Sequence, residues 1–282
     1  MTIEDAIRIA QGRARTLRVD PQLTVAEVYE AELLRRLQPK FRSHIVWKGG
    51  TVLRLEGSER FSRDLDATRR TSSPSQASIH KTLKDAARGL PYLTDLSVET
   101  QPNSVVSVCR FDMPGLGQPL QTCVEISTRE KVLLAPTTVS TARIAHPCGI
   151  EPVIVARLDD PELLAEKVRA LVMRMAGRDI FDVYWLLQRG VEFDPALFLR
   201  KMRYYEKAKK PIDPTLAVEK AARRLHTFNP SRAKTELVNL LPAAQRGLDI
   251  GVIVEDVARA LDAWLLAISE KRSAKPAGKK KT

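Results

Sequence analysis

The dipeptide Asp160-Pro161 divides this chain into two stretches of different periodicity. Asp is a preferred helix N-cap, and proline suits the first helical position because its missing N–H needs no partner there. Beyond it nearly everything reads as helix, with segments expected at 161–175, 179–188, 195–206, 214–225, 233–241 and 253–269. Before it, helices alternate with short β-rich runs. Thr24 followed by Glu27 reads as a capping box, and the apolar stripe from Val25 to Leu37 stops before Pro39. Ile45, Val46 and Trp47 form a short strand, Gly49 and Gly50 turn the chain, and Thr51 opens a brief helix that runs to Leu55. Further strands are expected at 63–68, 93–100, 104–112 and 120–127, with a helix over 75–87 closed by Gly89. A mixed stretch followed by an all-helical one predicts an α+β fold: a sheet-containing lobe at 1–160, then a helical lobe at 161–270.

Charge follows the same division. The chain of 282 residues carries a net +12. Residues 271–282 hold six cationic side chains and no acid, and residues 200–234 hold eleven against three acids, so the remainder is slightly acidic. Such asymmetry is the footprint of a polyanion binder, with Lys207, Lys209 and Lys210 as candidate RNA contacts; a solvated charged face and a disordered tail are the plainer reading. Tyr204 and Tyr205 lie within the basic stretch, where one ring can stack on a base and the other belongs in a core. The Lys-rich segment 271–282 lacks apolar anchors and is expected to be a disordered tail.

Several classes are excluded. Apolar residues make up 44% of the chain, enough for a core, so global disorder is out. No run approaches the 18 or so apolar residues a membrane helix needs, and the acidic start, Met1 to Asp5, is unlike a secretory signal. Three widely spaced cysteines, Cys109, Cys123 and Cys148, fit reduced thiols in a cytoplasm better than a disulfide framework. No paired Cys or His motif marks a zinc site.

The chemistry concentrates in one short region. Asp64 and Asp66 are separated by one residue in a strand-like run, so both carboxylates project from one face while Leu65 turns to the core. Two such carboxylates suit Mg²⁺, which accepts few protein ligands and fills its shell with water and substrate phosphates. Ser62 shares their face. Upstream, Lys48, Gly49, Gly50 and Thr51 sit at a strand-to-helix turn, where glycines let phosphate oxygens approach the backbone. This is not a P-loop, and a Gly-Gly turn also serves simply to reverse a chain. Glu125, alternating with inward Val124 and Ile126, is a candidate third carboxylate, acting as general base or second metal ligand; an exposed strand glutamate is the alternative.

The run Lys48-Gly49-Gly50-Thr51 followed by Arg60-Phe61-Ser62-Arg63-Asp64-Leu65-Asp66 closely resembles the signature of AbiEii-type nucleotidyltransferase toxins, the group that includes the mycobacterial MenT proteins. Leu164-Ala165-Glu166-Lys167 and Arg178-Asp179-Ile180-Phe181-Asp182 resemble the family's second signature. The resemblance covers about residues 40–190 and implies a polymerase-β-like nucleotidyltransferase lobe. It implies that Asp64 and Asp66 bind Mg²⁺, that Ser62 lies beside the phosphates, and that Lys167 binds the nucleotide while Asp182 orients it. Asp179 would be a second structural acid. The implied function is that of a toxin which transfers a nucleotide from a nucleoside triphosphate to the 3′ end of tRNA, blocking aminoacylation, under control of a cognate antitoxin. A phosphate on Ser62 would then switch it off. The alternatives are a small-molecule nucleotidyltransferase, whose cationic antibiotic substrates the basic lobe would repel, and a non-catalytic nucleic-acid-binding module.

Overall fold

The computed structural model describes residues 1–205 and 213–273. They form two compact units: Met1–Asp159 together with Leu237–Leu248, and Asp160–Glu236 together with the chain from Asp249 onward.

The first unit contains, in order, α1 (Ile3–Leu17), α2 (Pro21–Phe41), β1 (Ile45–Lys48), α3 (Gly49–Leu55), β2 (Asp64–Arg69), α4 (Gln76–Ala87), β3 (Leu93–Gln101), β4 (Ser104–Phe111), β5 (Leu120–Ser127), β6 (Thr137–Ser140), α5 (Ala142–Ala145) and β7 (Ile154–Arg157). Its strands make one mixed sheet in the order β3-β4-β5-β2-β1-β7-β6. β2 lies at the centre, antiparallel to β1 and parallel to β5. One sheet face is apolar: Leu65, Ala67, Val124, Ile126, Val105, Cys109 and Phe111 are all buried there. α2 and α4 cover that face. Tyr29 of α2 stacks on Phe111 at 3.7 Å between ring centroids, and Ile79 and Leu83 of α4 are buried. The opposite face carries the other alternates of the same strands, among them Asp64, Asp66 and Glu125.

The second unit comprises α6 (Asp160–Arg174), α7 (Gly177–Gln188), α8 (Pro195–Arg203), α9 (Pro214–His226), α10 (Pro230–Val238) and α11 (Ile250–Ser273), with the last residues of α10 counted in the first unit. α6 packs against α7, α8 and α9, and α11 against α7, α8 and α9. Phe193 stacks on Trp264 at 4.4 Å and tilts against Phe198, tying the α7–α8 connection to α11.

The α+β class read from periodicity is the class observed, with local differences. α2 begins four residues earlier than its expected capping box: Asp20 accepts from the Gln22 N–H and Pro21 occupies the first turn, leaving Glu27 free for a buried role. Pro39 lies inside the last turn of α2 rather than ending it. α1, β6 and β7 were not anticipated. The segment Leu237–Leu248 groups with the sheet, where Leu240 O accepts from the Phe61 N–H at 2.8 Å and Arg246 donates to Arg18 O at 2.7 Å. Residues 271–273, expected within a disordered tail, extend α11. Lys207, Lys209 and Lys210 lie outside the described residues, as do residues 274–282.

Candidate active site

β2 delivers the acidic pair as its alternation demands. Leu65 is buried, Asp64 is exposed and Asp66 is half-buried. Residues directly opposite across a ladder share a face, so the registers Lys48–Asp66 and Asp66–Glu125 align three charged side chains in one row across β1, β2 and β5. A second row holds Asp64 opposite Cys123. Glu125 is exposed, on the face opposite Val124 and Ile126. The three carboxylates surround the Cys123 thiol: burial first, then the charges of Asp64, Asp66 and Glu125, push its pKa up to about 12. The thiol is therefore protonated and a poor nucleophile.

The glycine turn presses directly on these acids. Gly49 has φ +79°, the left-handed region that glycine enters without cost, and a Cβ there would stand 2.5 Å from Asp66 Oδ2. At Gly50 a Cβ would stand 2.6 Å from Arg60 Nη2 and 2.8 Å from Ser62 Oγ. Both glycines exist because side chains from β2 and its lead-in fill the space. Thr51 completes the contact, its hydroxyl donating to Asp64 O at 2.7 Å, while the Ser62 hydroxyl reaches the same carbonyl at 3.4 Å. With only seven residues, α3 contributes a short dipole; in the turn itself Gly49 is half-buried and Gly50 and Thr51 are buried.

Behind the turn a buried charge network holds α3 in place. Arg54 donates to Glu27 Oε1 at 2.7 Å and to Ser58 O at 3.0 Å, with its guanidinium 4.3 Å from the Phe61 ring centroid. Arg13 takes the other Glu27 oxygen at 2.6 Å. Phe61 is itself fully buried in a cluster with Ala14, Val19 and Leu23. Lys48 Nζ pairs with Glu130, a buried acid on the loop after β5, at 2.5 Å. Glu30 of α2 is also buried. Desolvation, followed by the charges of Glu27 and Asp64, raises its pKa well above the usual glutamate range.

In the second unit, Lys167 of α6 and Asp182 of α7 form an ion pair of 2.7 Å, with the carboxylate almost wholly buried. Asp179, three residues earlier, is buried and accepts a two-pronged contact from Arg174 at 2.6 and 2.7 Å. Lys201 of α8 is fully buried and contacts both Glu162 at 2.6 Å and Glu166 at 2.7 Å, one turn apart on α6. α6 is thus fixed in rotation from two sides. Tyr205 is half-buried, with the Arg169 guanidinium 3.8 Å above its ring.

Among the described residues no three or more His, Cys, Asp or Glu side chains form a metal cage. Asp64 and Asp66 nonetheless suit Mg²⁺, which requires only one or two carboxylates when phosphates and water supply the rest. Gly49 leaves the Asp66 carboxylate room that a Cβ would fill.

A family model described as the nucleotidyl transferase AbiEii toxin of type IV toxin–antitoxin systems matches residues 32–263. The chain belongs to the AbiEii family. Among curated proteins none matches. Among solved structures it is similar to JHP933 from Helicobacter pylori, at 16% identity and a TM-score of 0.52, covering 90% of this chain and 99% of that one. It is also similar to a second H. pylori structure, described as a candidate nucleotidyltransferase, at 15% identity and a TM-score of 0.50, covering 88% of this chain and 97% of that one. These likenesses concern the fold. AbiEii membership makes this protein a nucleotidyltransferase of the toxin class, and a toxin of that class implies an antitoxin partner and a nucleoside triphosphate substrate. No helix among the described residues is long and apolar enough to cross a membrane.

Within this AbiEii fold the sheet unit brings together Lys48, Gly49, Gly50, Thr51, Ser62, Asp64, Asp66 and Glu125, and the helical unit pairs Lys167 with Asp182. Sequence reasoning missed Arg60, Glu130 and Lys201. Arg60 was legible as part of the Arg60–Asp66 run, but its contact with Gly50 was not. Glu130 and Lys201 carry no local signal, since each acquires its role from a residue at least 35 positions away.

Proposed function

We propose that this protein is a Mg²⁺-dependent nucleotidyltransferase that adds a nucleotide from a nucleoside triphosphate to the 3′ end of an RNA, with tRNA as the acceptor and arrest of translation as the outcome. The observation that carries the reading is the close approach of the Gly49–Gly50 backbone to Asp66 and Ser62, beside the aligned row of Lys48, Asp66 and Glu125. A glycine turn next to paired carboxylates is suited to a triphosphate, and the basic residues of 200–234, including Lys207, Lys209 and Lys210, suit an RNA backbone.

Asp64 and Asp66 would hold Mg²⁺, which when bound neutralises charge on the transferring phosphate. Gly49, Gly50 and Thr51 receive the phosphates, with Ser62 alongside. Glu125 accepts the proton of the attacking 3′-hydroxyl, a task for which an exposed carboxylate in register with Asp66 is well placed. Lys167, held by Asp182, neutralises nucleotide charge as a compact ammonium can. Phosphorylation of Ser62 would put about two negative charges beside two carboxylates and block the nucleotide.

The test is incubation of purified protein with total tRNA, Mg²⁺ and each labelled nucleoside triphosphate. Label should appear on tRNA 3′ ends and vanish with chelator. Labelling of no RNA by any of the four triphosphates would overturn the reading. Replacing Lys207, Lys209 and Lys210 together should raise the KM for tRNA and flatten its salt dependence without changing nucleotide affinity.

A further inference from the structure

The polar sheet face does not end at Glu125. The same register continues to β4 and β3, placing Val106 beside Glu125, with Glu99 beyond it. In the neighbouring row Val108 lies beside Cys123, with Ser97 beyond, and one pair further Arg110 lies beside Gln121. Val106, Val108 and Cys123 are half-buried, forming a small apolar strip bordered by exposed Glu125, Gln121 and Arg110. Apolar side chains on the face away from the packed core, left half open among polar neighbours, are what a planar ligand rests on.

In-line substitution decides which ligand. The attacking oxygen and the leaving group must stand on opposite sides of the phosphorus. The Gly49–Gly50 turn follows β1, on one side of β2, and Glu125 is on β5, on the other. If the triphosphate lies at the turn, pyrophosphate leaves towards β1 and the hydroxyl arrives from β5. What lies behind that hydroxyl must then sit over β5 and β4, within about 10 Å of Asp66, two strand spacings.

We propose that this strip is the acceptor floor: the 3′-terminal nucleotide of the RNA lies over Cys123 and Val108, its hydroxyl at Glu125 and its backbone phosphate at Arg110. This rests on the RNA-directed reading above and says where that substrate binds. The step balances: the 3′ oxygen forms a bond to the α-phosphorus, the bond to the β-phosphate oxygen breaks, pyrophosphate departs, and the hydroxyl proton passes to Glu125. Arg110 is exposed and only loosely paired with Asp95, at 3.8 Å, so a phosphate can displace that partner. Asp95 and Glu99 on β3 form an acidic border that keeps the RNA backbone over β4 and β5.

Two experiments on the full-length protein test this. An RNA ending in a photoactivatable 4-thiouridine should cross-link to residues 106–110 or 121–125, a readout that needs no nucleotide transfer. Cross-links confined elsewhere, or none, overturn the floor whether or not the protein labels RNA. In steady-state kinetics, Arg110→Glu and Val108→Asp should each raise the KM for RNA about tenfold and leave the nucleoside triphosphate Kd within about twofold. Lys81→Glu, the same charge change on exposed Lys81 of α4, should do neither. An unchanged KM in Arg110→Glu, or equal loss of nucleotide affinity, refutes the proposal. Arg110 lies at the surface, so this variant decides the matter even if Val108→Asp fails to fold.

Discussion

The acidic row of the sheet and the helical unit place charge by opposite means. On the sheet, Asp64 and Glu125 are exposed and Asp66 is half-buried, with positions set by strand register and by glycines that leave no room for a Cβ. In the helical unit, Asp182, Asp179, Glu162 and Lys201 are buried, each fixed by a partner on another helix or a neighbouring turn. Exposed acids remain solvated and cost the fold little, so they can be removed without unfolding it. Buried pairs are different, because deleting one member leaves the other charged in a low dielectric. Loss of function and loss of stability should therefore separate between the exposed acids of the sheet and the buried pairs of the helical unit.

The largest expected effect lies on the sheet. Asp66→Ala should lower nucleotide transfer by about 10³-fold, since several kcal/mol of charge stabilisation disappears, while the melting temperature stays within a few degrees of the parent. Asp64→Ala should behave alike. Transfer at parental rates by a folded variant would remove these carboxylates from the chemistry.

Lys201→Met asks the reverse. It leaves Glu162 and Glu166 facing each other without their cation and should cost about 3–5 kcal/mol in chemical denaturation. Adding Glu162→Gln and Glu166→Gln should recover much of that loss. A Lys201→Met protein as stable as the parent would show that burial does not set these pairs apart from the exposed acids of the sheet.

Gly49→Ala blurs the division, being a backbone change in the catalytic unit. A φ of +79° and a Cβ 2.5 Å from Asp66 Oδ2 should cost about 1–3 kcal/mol and displace that carboxylate. Activity should fall further than stability alone explains, with a rise in the Mg²⁺ concentration needed for half-maximal rate. Normal activity would show that the turn can yield.

The smallest effect concerns Glu30, a buried acid of α2 in the sheet unit. Its Oε1 has no hydrogen-bond partner among the described residues, and its folded pKa is raised. The folded state therefore holds a proton that the unfolded chain releases above its ordinary pKa, and stability is lost as pH rises through that range towards the folded value. Glu30→Gln should raise the melting temperature by about 2–4 °C at pH 8, the scale of one kcal/mol in a chain of this size, and by less at pH 5. A gain independent of pH would mean that Glu30 does not titrate on unfolding.

Much of this was legible in the chain. Alternation around Leu65 and around Val124 and Ile126 dictates that Asp64, Asp66 and Glu125 each leave the core face, because side chains of a strand point alternately to its two sides. Asp160 and Pro161 mark where helix takes over for the same kind of local reason. The run from Lys48 to Asp66 carries enough specific chemistry to suggest the family. Local pattern fails where the partner is distant in sequence. That β5 pairs with β2, setting Glu125 beside Asp66, follows from the strand order, which alternation does not encode. Lys201 sits in a basic stretch that suggests a solvated face, yet it is fully buried because two glutamates one turn apart on α6 compensate its charge. Glu27 resembles a capping residue until Arg54 and Arg13 close on it. In each case the composition of a segment set what its side chains could do, and the neighbours supplied by the fold, through burial and charge pairing, determined which of those things they do.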